Sequence, residues 1–179
     1  LDLVRRDTSR GSLFRLTLPL RLETPSPQTD MFKDFPVAPT SKALKKNELE
    51  GIRVLLVEDS FDNEMLIRAY LKGTGVDLEV AHNGEEAIRA IHQTQVHDFD
   101  IVFMDIQMPV MDGLEATRRL RDENYDRPIV ALSAHARPEE VERSLKAGCH
   151  SHLTKPIMRE TLIEQIKRHS ALRKRAMRF

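Results

Sequence analysis

Between residues 51 and 170, short apolar runs alternate with segments of helical periodicity, five of each kind. A short apolar run bounded by Gly, Pro or acidic residues is typical of a buried strand. The helical segments follow residues that favour helix starts, among them Ser60 and Asp112 as N-caps and Pro138 in a first turn. The apolar runs lie at residues 52–57, 78–80, 100–105, 129–132 and 150–153.

This alternation predicts a doubly wound α/β domain, in which helices cover both faces of a five-stranded parallel sheet. The flavodoxin-like strand order 2-1-3-4-5 has its switch point between the first and third strands. In that order Glu58 and Asp59, which follow the first strand, lie beside Asp105, which ends the third. Ser133 ends the fourth strand and Lys155 follows the fifth, so both belong to the same edge of the sheet.

The predicted edge brings together side chains that suit phosphoryl transfer. Three clustered carboxylates repel one another unless a cation or a proton lies between them. Oxygen ligands without His or Cys favour Mg²⁺, and a carboxylate beside Mg²⁺ can attack a phosphoryl group to form an aspartyl phosphate. Lys155 supplies a cation for the phosphate and Ser133 a hydroxyl. We also expect a cis peptide bond at Pro156.

The composition excludes several classes of protein. The chain has 28 basic and 28 acidic residues, so a general polyanion-binding surface is not expected. No apolar run approaches the roughly 20 residues of a membrane helix. The single cysteine, Cys149, excludes an internal disulfide and is compatible with a cytoplasmic location. We interpret the basic tail at 171–179 as a solvated helix end rather than a nucleic-acid contact.

Residues 1–50 follow a different pattern. Apolar and polar residues alternate over 11–18 up to Pro19, which predicts a half-buried strand. A strand needs partners, and the remaining sequence offers no obvious one. Residues 23–50 are polar and rich in proline, which indicates a semi-rigid linker. Because the chain begins with Leu1 rather than Met, we expect it to be part of a longer protein.

Four motifs, in order and in spacing, resemble the signature of a receiver domain of two-component signalling. They are Glu58-Asp59, Met104–Gly113, Ser133-Ala134 and Lys155-Pro156. The resemblance covers about residues 51–170. It implies that Asp105 is the phosphoacceptor, that Mg²⁺ is the cofactor, and that a phosphohistidine is the donor.

The resemblance also implies individual roles. The implied Mg²⁺ ligands are Glu58, Asp59, Asp105 and the backbone carbonyl of Gln107. Ser133 corresponds to the switch hydroxyl and Lys155 to the phosphate-binding lysine. His152 stands at the family's aromatic switch position, and Gln107 and His135 are candidates for tuning the lifetime of the phosphate. Phosphorylation would then change the surface around the fourth and fifth helices.

The N-terminal segment 1–22 resembles the last strand of a histidine-kinase ATP-binding domain. Together with the linker, it indicates the C-terminal part of a hybrid sensor histidine kinase, which would be cytoplasmic or the cytoplasmic part of a membrane-anchored kinase. The implied partners are the kinase core, a histidine phosphotransfer protein, or both. The ATP-binding motifs and the phosphorylated-histidine segment are absent from this sequence, so we do not expect it to phosphorylate a substrate with ATP.

Three other functions compete with this one. A haloacid-dehalogenase-like phosphatase places a second Asp two residues after its nucleophile, whereas position 107 is Gln. A nucleotide-binding module needs a phosphate-cradling loop after the first strand, where Glu58 and Asp59 would repel phosphate. The complete acidic set argues against a receiver that signals without phosphorylation.

Overall fold

A computed structural model of the chain describes residues 2–7, 11–15, 47–93 and 99–176, with only the backbone for 2–7, 11–15 and 171–176. The chain forms two compact units, residues 1–40 and 41–179. In the first unit, β1 (Asp2–Asp7) pairs antiparallel with β2 (Gly11–Arg15).

This hairpin corrects one prediction. The chain itself supplies the partner strand that the sequence did not reveal, while residues 16–18 of the strand expected over 11–18 lie outside the described residues. The partner was missed because Arg5, Arg6 and the flanking aspartates mask any apolar alternation in β1.

The second unit is built on a five-stranded sheet. Its strands are β3 (Arg53–Val57), β4 (Asp77–Ala81), β5 (Ile101–Asp105), β6 (Ile129–Ser133) and β7 (Ser151–Thr154). All neighbouring strands are parallel, in the order β4-β3-β5-β6-β7. This is the order 2-1-3-4-5 within the sheet, so the predicted fold is confirmed.

Five helices cover the sheet. They are α1 (Phe61–Leu71), α2 (Gly84–Gln93), α3 (Gly113–Asp122), α4 (Pro138–Lys146) and α5 (Arg159–Ala176). Val54 and Leu56 of β3 pack in the core cluster that includes α1 and α5, while Leu55 packs in the cluster that includes α2 and α3. Because both faces are covered, the central strands are apolar without interruption. No described helix is long and apolar enough to cross a membrane.

Two of the predicted helix starts agree with the structure in full. Asp112 caps α3 by accepting a hydrogen bond from the Glu115 backbone N–H (2.8 Å), and Pro138 lies in the first turn of α4. Ser60 occupies the N-cap position of α1, but its hydroxyl makes no capping hydrogen bond. Its backbone N–H instead approaches the Glu58 side chain at 3.4 Å.

The turn that precedes β3 belongs to the core. Leu49 is buried in the cluster beneath α1 and α5, and its backbone N–H donates to the Thr74 carbonyl (2.8 Å). On the surface of the same turn, Glu48 forms an ion pair with Lys167 of α5 (2.6 Å). The last residues of the predicted linker therefore pack against the sheet unit, while residues 23–46 lie outside the described part of the chain.

His169 gives the fold a predictable pH dependence. It is 7% exposed on α5, forms an edge-to-face contact with His150, and neither ring nitrogen has a hydrogen-bond partner among the described residues. Burial lowers the pKa of His169, and the nearby His150 and Arg168 lower it further. The unfolded chain then binds a proton at about pH 6.5, where the native state does not. Stability is therefore lost as the pH falls below that value towards the folded pKa.

We expect the His169→Leu variant to be more stable than wild type, by a margin that grows between pH 8 and pH 5.5. Urea unfolding followed by circular dichroism at several pH values measures this margin. A margin that stays constant with pH would contradict the assignment of this titration to His169.

Candidate active site

The carboxyl edge of the sheet collects the predicted acidic residues. Glu58 follows β3 directly and Asp105 is the last residue of β5, so the neighbouring strands place them side by side. Glu58, Asp59 and Asp105 each offer a carboxylate oxygen, and these oxygens lie within 4.8 Å of one another. Glu58 and Asp105 are buried, whereas Asp59 is exposed. The cluster therefore opens to solvent at Asp59.

Lys155 neutralises part of this charge. Its Nζ donates to Glu58 Oε2 and to Asp105 Oδ2, both at 2.6 Å. The Lys155–Pro156 peptide bond is cis, as predicted. The lysine, predicted to bind the phosphate from this edge of the sheet, therefore bridges two buried carboxylates.

Burial and the shared hydrogen bond shift the pKa values of Asp105 and Lys155 in different ways. Burial raises the pKa of Asp105, and the charge of Glu58 raises it further, although the hydrogen bond from Lys155 acts in the opposite direction. Burial lowers the pKa of Lys155, but its hydrogen bonds to Asp105 and Glu58 outweigh burial, so the net pKa is raised. The ammonium group therefore stays charged, while the Asp105 carboxylate still bears an uncompensated cost of burial.

Asn63 is a member of the site that the sequence did not reveal. From the first turn of α1, its Nδ2 donates to Glu58 Oε1 at 2.9 Å. The sequence feature that could have indicated this role is a polar residue in the predicted first helix, five positions after Glu58. Asn63 and Lys155 together supply donors to both oxygens of Glu58, which is fully buried.

The oxygen set fits a hard divalent cation. An ionised carboxylate has about four lone-pair sites, so Asp59 and Asp105 retain acceptor capacity beyond the hydrogen bonds described. Asp105 Oδ1 accepts one further bond from the Gln107 backbone N–H (3.1 Å). Among the residues that the structure describes, no His or Cys belongs to the cluster. Clustered carboxylates without nitrogen or sulfur ligands are typical of Mg²⁺ sites.

Ser133 ends β6 and its hydroxyl is buried. Its Oγ donates to Glu140 Oε2 of α4 (2.9 Å) and accepts a hydrogen bond from the His135 backbone N–H (3.1 Å). The Ser133 carbonyl accepts a bond from the Lys155 backbone N–H (2.7 Å). The predicted switch hydroxyl thus lies at the expected edge of the sheet, but it is bonded to α4.

Residues 54–167 match the family described as response regulator receiver domain. The chain belongs to this family. It is therefore a receiver domain of two-component systems, as the four motifs predicted.

Individual relatives agree with the family assignment. Over 140 residues the chain is 36% identical to probable histidine kinase 2 of Oryza sativa subsp. indica; the match covers 70% of this chain but 13% of that protein. The chain thus spans a small part of the length of this relative. A solved receiver domain, that of sensor histidine kinase PA1611 from Pseudomonas aeruginosa PAO1, has a magnesium ion coordinated in its active site cleft. It is 36% identical, with a TM-score of 0.61, covering 68% of this chain and 98% of that one.

A second solved structure contains a partner. It is the co-crystal structure of the Saccharomyces cerevisiae histidine phosphotransfer protein Ypd1 and the receiver domain of its downstream response regulator Ssk1. The match has 28% identity and a TM-score of 0.63, and it covers 68% of this chain and 90% of that one.

His152, predicted for the aromatic switch position of this receiver domain, has a contact at each of its ring nitrogens. Its Nδ1 lies 3.1 Å from Ser144 Oγ of α4, and its Nε2 lies 3.3 Å from the backbone carbonyl of His135. His135 is exposed, with Nδ1 at 3.7 Å from Glu140 Oε1. The histidine predicted for the switch position thus connects β7 to α4 and to the β6–α4 loop. Its role, and those of Gln107 and His135 in phosphate lifetime, stay predictions.

Proposed function

We propose that this receiver domain accepts a phosphoryl group on Asp105 from a phosphohistidine donor. One observation carries the proposal: Lys155 bridges Asp105 and buried Glu58 at 2.6 Å each, beside the carboxylate of Asp59. An ion pair of purely structural value would not need a third, exposed carboxylate that repels the other two. The proposed reaction uses all three carboxylates and the lysine.

The residues that would hold Mg²⁺ are Glu58, Asp59, Asp105 and the backbone carbonyl of Gln107. When bound, the ion neutralises the acidic cluster and orients the oxygens of the incoming phosphoryl group. The acidic oxygens within 4.8 Å of one another support this assignment.

The chain's own residues supply the remaining chemistry. An Asp105 carboxylate oxygen forms a bond to phosphorus while the phosphorus–nitrogen bond of the donor histidine breaks, and the imidazole leaves with that electron pair. Lys155, already at Asp105, is in position to donate to a phosphoryl oxygen. Asn63 and Lys155 hold Glu58 fixed while charge accumulates nearby. The Ser133 hydroxyl then donates a hydrogen bond to another phosphoryl oxygen.

We further propose the context of this domain. The donor is a histidine kinase core or a histidine phosphotransfer protein, and the surface around α4, β7 and α5 changes its affinity for a partner on phosphorylation. Residues 1–22 are the end of a kinase ATP-binding domain, 23–50 are a linker, 51–170 are the receiver domain and 171–179 are a basic tail. The whole protein is a hybrid histidine kinase whose receiver domain works in the cytoplasm.

Intact mass after incubation with acetyl phosphate tests the reaction. We expect wild type to gain one phosphoryl group only when Mg²⁺ is present, and Asp105→Asn to gain none, because an amide is not a nucleophile for this transfer. Asp126→Asn, which alters an exposed carboxylate outside the site, is the matched control and should behave as wild type. Lack of any adduct in wild type, with no Mg²⁺ binding by calorimetric titration, would refute the proposal.

A further inference from the structure

We propose that Glu140 is a positioning residue that retains the Ser133 hydroxyl on α4 until Asp105 is phosphorylated. This inference rests on the proposed function, because the event that releases the hydroxyl is phosphorylation of Asp105. It concerns the control of the reaction by a residue outside the acidic cluster.

The hydroxyl of Ser133 has a single proton. That proton is directed to Glu140 Oε2 at 2.9 Å, and Ser133 is only 1% exposed. A hydroxyl donates one hydrogen bond at a time, and a bond to an ionised carboxylate is stronger than one to a neutral acceptor. Ser133 therefore cannot donate to a phosphoryl oxygen while it donates to Glu140.

Glu140 lies in α4, so loss of its hydrogen bond to Ser133 can move this helix. It belongs to the first turn of α4, whose N-cap residue Arg137 makes no side-chain capping bond. Its bond to Ser133 joins this turn directly to the end of β6. Glu140, Arg143 and Gln107 are among the residues that line a cavity of about 370 Å³, which offers the released carboxylate space to turn into.

Neighbouring hydrogen bonds connect the Ser133 hydroxyl to His152 of β7, so a movement of Ser133 also affects β7. His135 donates its backbone N–H to Ser133 Oγ, and its carbonyl lies 3.3 Å from His152 Nε2. His152 Nδ1 in turn lies 3.1 Å from Ser144 of α4. When Ser133 turns from Glu140 towards the phosphoryl group, it withdraws from α4 and shifts the loop that His152 contacts. The carboxylate of Glu140 and the phosphoryl group thus compete for one proton, and the outcome determines the position of α4.

The experiment compares phosphorylation rates with acetyl phosphate, followed by intact mass, in wild type, Glu140→Ala and Glu140→Gln. We expect Glu140→Ala to be phosphorylated about tenfold faster, because a bond to a charged acceptor no longer opposes the turn of Ser133. Glu140→Gln keeps a neutral acceptor of the same length and should lie between the two. Glu139→Ala is the matched control: it removes an exposed carboxylate from the same turn and should leave the rate unchanged.

A double-mutant cycle separates positioning from simple charge repulsion. In a Ser133→Ala background there is no hydroxyl to retain, so the further change Glu140→Ala should not alter the rate. In the unphosphorylated protein, Glu140→Ala should also accelerate hydrogen exchange at the His135 amide, whose acceptor is Ser133 Oγ.

Three outcomes would overturn the inference. Acceleration that persists in the Ser133→Ala background would show that Glu140 acts only through its charge. A wild type that is phosphorylated at the same rate as Glu140→Ala would overturn this inference and leave the proposed function intact. A wild type that accepts no phosphate would overturn both.

Discussion

Replacing Gly113 with alanine should destabilise the receiver domain by about 4 kcal/mol, the scale of a severe core clash. A Cβ at this position would overlap the carbonyl oxygen of Asp105 and lie 2.7 Å from Met104 Cγ. The clash is with backbone, so no change of rotamer can relieve it. Either α3 or the end of β5 must move, and the bond from the Gly113 N–H to the Ile106 carbonyl (3.1 Å) would break. Because Asp105 itself is displaced, phosphorylation should be lost together with stability.

Gly73→Ala is the control for this substitution. Gly73 has a φ of +76°, and a Cβ there would meet nothing within 4 Å. The Gly73→Ala variant should therefore lose only about 1 kcal/mol of stability, which is the cost of placing alanine in a left-handed backbone conformation. Urea unfolding by circular dichroism compares the two variants, and acetyl phosphate reports on the site. Equal losses of stability in both would show that close approach to β5 is not what requires glycine at position 113.

The sheet could be predicted because its signals are local. β5 and β6 are buried along their whole length, so each is a continuous apolar run in the sequence, and each ends at a polar residue of the site. Parallel pairing then places Asp105 and Ser133 at one edge whatever their sequence separation. The strand order alone was enough to predict that the acidic residues and Lys155 lie together, without any knowledge of side-chain conformation.

The sequence did not predict contacts between residues far apart in the chain, or which of several possible acceptors a side chain bonds to. The hydrogen bond from Ser133 to Glu140 could not be predicted, because the position of Glu140 in a helix first turn is equally explained by the helix dipole. Leu49 stands among charged residues and was assigned to the linker, although it is buried in the core. The predicted strand residues 16–18 and the end of the basic tail, residues 177–179, lie outside the described part of the chain.

Removing the charge of Lys155 should have the second large effect. Lys155→Met retains most of the side-chain stem and leaves Glu58 and Asp105 as buried carboxylates without their shared cation. Breaking such a pair by deleting one partner costs about 3 kcal/mol, which we expect at neutral pH without Mg²⁺. The hydrogen bond that lowers the pKa of Asp105 is also lost, so that pKa rises further above its unfolded value. The native state then binds a proton more readily than the unfolded chain, and the deficit should shrink as the pH falls through the folded pKa.

Magnesium distinguishes this explanation from a simple packing defect. A divalent cation binds the native cluster and not the unfolded chain, so it should restore more stability to Lys155→Met than it adds to wild type. Lys167→Met is the matched control, because Lys167 forms a partly exposed ion pair with Glu48 at 2.6 Å. Such pairs contribute about 0–1 kcal/mol, and Mg²⁺ should act on this variant as it does on wild type. Thermal or urea unfolding with and without Mg²⁺ measures all three proteins. A Lys155→Met deficit that neither acid nor Mg²⁺ reduces would mean that the lysine stabilises the fold through its stem and not through its charge.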